Sequence, residues 1–379
     1  MGRLFVLAMV AAFAVSAAVA KDCLVYFGTF TDTTSKGIYV SRLDMDSGKL
    51  SAPELAATVS NPNFLAISHD GRFLYAAVRG STNGGIVDAF TIDNHTGALK
   101  FLDQKFSGGA EPCYVSIDAA GQSLFDANYD GSTVKSFHIS PDGTLTDGSV
   151  VEHHGSSVNP DRQKGPHPHC FIGAPGGTFA LACDLGLDKI VVYKVDPNDA
   201  TLTLNDPPFV VIAPGSGPRH VAFSPDGKTA CVISEMACTL TLFDWDGVAG
   251  TLHERQSLPL LPPGVYQKTF TAAEVAYRPD SRFVYATVRG SNVPGPNCIS
   301  VFAVDHKTSN LSFVQNLPAD GNFPRGMGID PSGRWLIIGN QKSGTVTVFS
   351  IDADTGRLTP TGQVLNVGTA VDVKFAPAE

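Results

Sequence analysis

Short apolar runs separated by turn-forming residues recur along almost the whole chain. Runs such as Phe73-Leu-Tyr-Ala-Ala-Val78 and Thr345-Val-Thr-Val-Phe-Ser-Ile351 have the period of two and the β-branched content expected of strands. One turn recurs as SHDG (68–71), DAAG (118–121), APGG (174–177), SPDG (224–227), RPDS (278–281) and DPSG (330–333), with APAE as its last relative at the C-terminus. A second recurs as MDSGKL (45–50), NHTGAL (94–99), SPDGTL (140–145), PNDATL (197–202), GVAGTL (247–252), KTSNL (307–311) and ADTGRL (353–358). Both series count seven, at a spacing of roughly fifty residues.

Each repeat supplies four short strands: one before the first turn, one after it, one before the second turn and one after that. Seven such units predict an all-β, seven-bladed β-propeller with four antiparallel strands per blade. The ends fit the same count. Leu24-Val-Tyr-Phe27 reads as a second strand with no first strand before it, and Val371-Asp-Val-Lys-Phe375 as a first strand with nothing after it. The two are expected to complete one composite blade and close the ring. Residues 21–379 form a single domain on this reading.

The opening differs from the rest. Arg3 precedes an apolar run from Leu4 to Val19 that ends Ala18-Val19-Ala20, the pattern of a secretory signal peptide over 1–20. The mature protein is therefore expected to be exported, periplasmic or secreted, and free of the membrane. A formal net charge of −9 without a Lys/Arg cluster argues against nucleic acid as a partner. Seven cysteines without CxxC pairs indicate neither a zinc ribbon nor a disulfide framework. Cys170/Cys183 and Cys231/Cys238 could meet on neighbouring strands, although buried free thiols are the favoured reading.

Propeller strands run alternately up and down, so both series of turns lie on one face. The entrances to the innermost strands and the loops between second and third strands then share the other face. The entrances are NPNF (61–64), AEPC (110–113), GPHPHC (165–170), GPRH (217–220), TAAE (271–274), FPRG (323–326) and GTAV (368–371). The loops include VRGS (78–81), NYDG (128–131), CDLG (183–186), SEMA (234–237), VRGS (288–291) and NQKS (340–343). Around one mouth they gather Arg79, Tyr129, His167, His169, Arg219, His220, Glu235, Glu274, Arg289, Arg325 and Gln341, a convergence that marks a ligand site.

The i, i+2 spacing of His167 and His169 points both imidazoles to the same side. Two histidines make an incomplete metal set, and no third ligand follows from spacing, so no metal or other cofactor is expected. His169 leans towards catalysis, with an arginine and a glutamate near it. His167 is equally well read as a structural histidine. His220 should face away from Arg219 and serve packing or hydrogen bonding. Arg219, Arg289 and Arg325, from three blades, form an anion clamp or inter-blade ion pairs with Glu235 and Glu274.

The motifs NYDGSTVKSF (128–137), GPHPHC, CDLGLDKIVVY (183–193), GSGPRHVAFSPDGK (215–228), AAEVAYRPDSRFVYATVRGS (272–291) and FPRGMGIDPSGRWLIIGNQ (323–341) resemble the seven-bladed propeller lactonase family. That family includes bacterial propeller-type 6-phosphogluconolactonases and fungal carboxymuconate cyclases. SEMACT (234–239) departs from the usual Asn-Glu-Leu run, while Glu235 is retained. The resemblance implies His169 (with His167 as the competing choice), Arg219, Glu235 and Arg289 as catalytic groups. The other residues at the mouth, His167, Arg325, Gln341, Tyr129 and Glu274, are substrate-binding candidates. The reaction it implies is metal-independent hydrolysis of a sugar-type lactone, anionic or polyhydroxylated, by general acid/base attack of water. No GxSxG motif offers a serine nucleophile. A non-catalytic propeller that binds a glycan or protein, or a muconate-type lactonising enzyme, is the alternative.

Overall fold

The computed structural model describes residues 22–80, 84–265, 270–290 and 297–378. The leader read at 1–20 lies outside them. The chain forms seven antiparallel sheets arranged as blades around an axis. Blade 1 is the composite one: the strand Thr369–Pro377 is innermost and pairs with Asp22–Phe30, followed by Gly37–Asp44. Its outer edge is divided between Lys49–Leu50 and Glu54–Thr58, which both pair with Gly37–Asp44. The innermost strands of blades 2 to 7 are Pro62–Ile67, Pro112–Ile117, Pro168–Gly173, Pro218–Phe223, Phe270–Tyr277 and Pro324–Ile329. Each touches its neighbours, and the last and first are joined through Thr369–Pro377, so the ring is closed.

Burial explains the sequence pattern strand by strand. The second strands are sandwiched between blades and read as continuous runs. Phe73–Val78, Phe179–Asp184 and Thr229–Ser234 are buried at every position. Alternation belongs to the outermost strands such as Leu99–Phe106, which cover their blade with one face and meet water with the other. The repeated outer turns are built by aspartates. Asp93 Oδ1 accepts from the N–H groups of His95 and Thr96, and Asp305 and Asp352 repeat the arrangement. A tyrosine in the second strand stitches neighbouring blades together. The hydroxyls of Tyr26, Tyr75 and Tyr285 donate to the carbonyls of Gly97, Gly143 and Gly356 in the next blade's turn.

All seven cysteines are buried and free. Cys170 and Cys183 lie directly opposite one another in blade 4, whereas Cys231 pairs with Leu242 and Cys238 precedes its strand.

Candidate active site

Two rings of equivalent positions build a polar cavity of about 250 Å³ at one mouth of the axis. The first ring comes from a repeated irregularity. In every blade the innermost strand loses register with its partner near its start, leaving one extra residue unpaired. The extra residues are Asn63, Cys113, His169, Arg219, Arg325 and Val371, with Ala273-Glu274 spanning the shift in blade 6. A bulge re-aims the side chain it carries, and Asn63, Cys113, His169 and Arg325 line the cavity. In five blades the extra residue directly follows a proline, which donates no hydrogen bond and suits the entrance to a strand.

The second ring is the residue just beyond the level of those prolines, or of Ala370 and Ala272 in blades 1 and 6, on the second strand: Phe30, Arg79, Tyr129, Glu235, Arg289 and Gln341, all of which line the cavity. Blade 4 is the exception. There Leu185 is fully buried beneath the connection 153–167, which bonds to it through Gln163 Nε2. That connection supplies Arg162 in its place. An Asx turn at Asn159 holds Arg162 by its backbone N–H, and Ser157 Oγ donates to Asp188 Oδ2 at 2.5 Å. Glu111, the residue before Pro112, completes the lining.

Glu235 is the electrostatic centre, with only 4% of its surface exposed. Its Oε1 accepts from Arg162 Nη2 at 2.7 Å and its Oε2 from Arg289 Nη2 at 3.0 Å. Arg219 Nε is an ion-pair partner 3.2 Å from Oε2, without the alignment of a hydrogen bond. Burial alone would raise the Glu235 carboxyl, but Arg289, Arg219, His169 and Arg162 together hold it far below the usual carboxylate range. Arg289 also donates from Nε to Thr271 Oγ1, lies over the Phe323 ring and keeps a buried Nη1 without a partner. Arg325 has no carboxylate partner among the described residues. It lies over Phe30 and reaches Gln341 Oε1 at 3.5 Å. Burial, then Arg219, pushes it down to about 10, so it stays cationic at neutral pH. Arg79 pairs with Glu111 at the rim. Five arginines stand here against two glutamates, an excess of three positive charges in a protein whose formal net charge is −9.

His169 is buried, its Nδ1 3.8 Å from the Cys113 sulfur and its ring edge-on to Tyr129. Burial, Arg219 and His220 push its imidazolium far below the ordinary range, so the ring is neutral at pH 7. His167 does not share its direction, because the register shift between Pro168 and Cys170 breaks the expected alternation. The His167 ring stacks on Tyr129, its Nδ1 is 2.9 Å from the Tyr129 carbonyl oxygen, and it does not line the cavity. No group of three potential metal ligands occurs among the described residues.

Of the residues expected from sequence, Arg79, Tyr129, His169, Glu235, Arg289, Arg325 and Gln341 meet in the cavity. Arg219 lies behind it, 2% exposed, gripping Glu235. Glu274 lies elsewhere: it lines the channel towards the opposite mouth and holds His220 Nδ1 at 2.9 Å. His220 hydrogen-bonds as expected but does not turn away from Arg219, whose Nη1 is 3.2 Å from its Nε2. The bulge at Arg219 turns both side chains inward. Sequence reasoning did not single out Asn63, Cys113, Glu111 or Arg162. The first two carry a legible signal, the position after a strand-entrance proline. Arg162 carries none beyond being an arginine in a long connection on this face.

The comparisons with known proteins agree with this architecture. The family model described as "Lactonase, 7-bladed beta-propeller" matches residues 24–375. A protein named 6-phosphogluconolactonase from Bacillus subtilis (strain 168) is 34% identical over 350 residues, covering 92% of this chain and 97% of its own length. One of the same name from Formosa agariphila is 28% identical, covering 90% of this chain and 96% of its own. The structure of a periplasmic gluconolactonase from Pseudomonas aeruginosa superposes with a TM-score of 0.88 at 32% identity, covering 94% of this chain and all of that one. Fold and sequence together place the chain in the seven-bladed β-propeller lactonase family.

Proposed function

We propose that this protein hydrolyses a sugar-type lactone, without a metal, at the arginine-rich mouth of the propeller. The observation that carries the reading is a neutral, buried imidazole set among guanidinium groups, two of which retain unused binding capacity. His169 takes a proton from water as the water oxygen bonds to the lactone carbonyl carbon. Negative charge then develops on the carbonyl oxygen, where Arg289, itself buried and with its Nη1 unpartnered, stabilises it. The ring C–O bond breaks, and the imidazolium of His169 returns its proton to the departing alkoxide, leaving an open hydroxy acid. Glu235, held ionised by three arginines, is too weak a base to share the proton. Its part is to hold Arg162, Arg219 and Arg289 in place against their mutual repulsion. Arg325, with Gln341 beside it, binds an anionic or polyhydroxylated part of the substrate.

The leader over 1–20 and the periplasmic relative support an exported protein. An unphosphorylated gluconolactone is then as serious a substrate as 6-phosphogluconolactone. Proton release from a panel containing both, with spontaneous hydrolysis subtracted, tests the function. Wild type is expected to turn over at least one member with or without EDTA. His169→Ala and Glu235→Ala should each lose at least about 100-fold in kcat. Folded wild type that opens no lactone would sink the proposal, and loss of turnover with EDTA would replace it with a metal-dependent reaction.

A further inference from the structure

Glu274 and His220 are buried, ionisable and unused by the mechanism above. Glu274 Oε1 accepts from its own strand, from Val275 N–H at 3.1 Å, and lies 2.9 Å from His220 Nδ1. His220 is 2% exposed and packed edge-on against Phe64, Tyr114 and His169. Its nitrogens lie 3.2 and 3.4 Å from Arg219 Nη1, which also donates to the Ala273 carbonyl. Arg219 in turn faces Glu235. A continuous polar string therefore runs from beneath the floor of the site, Glu274 to His220 to Arg219, and ends on the carboxylate at its centre.

We propose that Glu274 and His220 are a positioning pair that fixes Arg219 against Glu235 from below, and that neither touches substrate. The physical requirement is definite. A guanidinium can rest against an imidazole only while the ring is neutral, and Glu274 fixes that state by accepting the single ring proton at Nδ1. The cations facing the ring all oppose its protonation: Arg219 on its own strand, Lys374 from the innermost strand of blade 1, Arg325 from blade 7 and Arg289 from blade 6. Glu274 is the carboxylate in contact with it, and Lys374, Arg219 and Arg325 are the cations that act on Glu274. Without Glu274 the ring can exchange its proton between nitrogens or rotate, and Arg219 loses its backing.

The proposal rests on the lactonase reading for its kinetic test but has a separate spectroscopic one. Glu274→Gln keeps an acceptor for Nδ1–H, so kcat should stay within about threefold of wild type. Glu274→Leu removes it and should lower kcat about 10- to 100-fold with KM little changed. Nitrogen NMR of histidine rings and of the Arg219 Nε–H group needs no turnover. His220 should carry its proton on Nδ1 in wild type and the Gln variant but not in the Leu variant, and the Arg219 resonance should move only in the latter. If Glu274→Leu does not fold, His220→Phe keeps an aromatic ring at this position and removes the nitrogens, with the same loss of kcat and the same shift of Arg219 expected. A rise in KM at constant kcat would make Glu274 a substrate binder. Equal behaviour of the Gln and Leu variants, or an unmoved Arg219 resonance in folded Leu or Phe variants, would overturn the pair. Absence of any lactone turnover would remove the reading of the site, while the NMR outcome would still decide the positioning.

Discussion

Glu235 and His169 take opposite ionisation states through their surroundings rather than their intrinsic chemistry. Three guanidinium groups keep the carboxylate ionised, while burial and the neighbouring Arg219 cation keep the imidazole neutral. The same burial has a measurable consequence for stability. Unfolded, His169 titrates near its ordinary value of 6.5; folded, it titrates well below this. Between those values the unfolded chain binds the extra proton, so the folded state loses stability as pH falls through that window, and above 6.5 the effect is absent. Relative to His169→Gln, wild type should therefore become less stable below pH 6.5, with a slope of up to about 1.4 kcal/mol per pH unit. Urea unfolding of both proteins at pH 7.5 and 5.5 checks this, and a difference that does not change with pH would contradict the neutral state assigned to His169. Whether a residue matters here was legible only as identity. That Glu235 would meet three arginines, one of them Arg162, depended on distances that residue types do not carry.

At the scale of elements, the repeated bulge does most of the positioning. A strand that kept its alternation would send His169 and Cys170 to opposite faces of the blade, as it would Arg219 and His220. One extra residue per blade instead sends a side chain towards the axis at the same height in each repeat. Backbone strain accompanies it. Asn61, Glu111 and Phe323, each just before a strand-entrance proline, have φ of +49°, +54° and +65°, where Gly217 adopts +64° at the same place without steric cost. The loops above the bulges are secured by buried aspartates. Asp184, fully buried, accepts at Oδ1 from the N–H groups of His167, Gly186 and Leu187, and its Oδ2 is 2.6 Å from His153 Nδ1. Asp184→Ala leaves several of these donors buried and unpaired at about 1–3 kcal/mol each. A loss of at least about 3 kcal/mol in denaturant unfolding is expected, with the His167 and Arg162 segment disordered before the rest. A loss below 1 kcal/mol would show that water replaces the carboxylate.

At the scale of the whole molecule, closure is a long-range bargain between the two ends. Thr369–Pro377 pairs with Asp22–Phe30, and Asp372 ties it to the next blade by accepting from the Leu65 N–H at 2.8 Å. Removing residues 369–379 would expose the apolar side of blade 1, including Val25 and Phe27, and open the ring at the strand that joins blades 7 and 2. The truncated chain is expected to lose its cooperative thermal transition and its activity together. Retention of a single sharp transition would mean that six blades and a remnant suffice.

The sequence by itself determined the number of blades, their strand order, the composite closure and the face on which most of the polar side chains gather. These follow from local turn chemistry and a two-residue period, both written in consecutive residues and repeated often enough to count. Only the tertiary structure decided that His167 stands aside, that Arg219 works from behind, that Glu274 belongs to the opposite side of the floor and that Arg162 enters from a connection. Those outcomes rest on a register shift in each blade and on the convergence of seven blades at one axis. Both are set by packing between residues far apart in the chain, which no local pattern records.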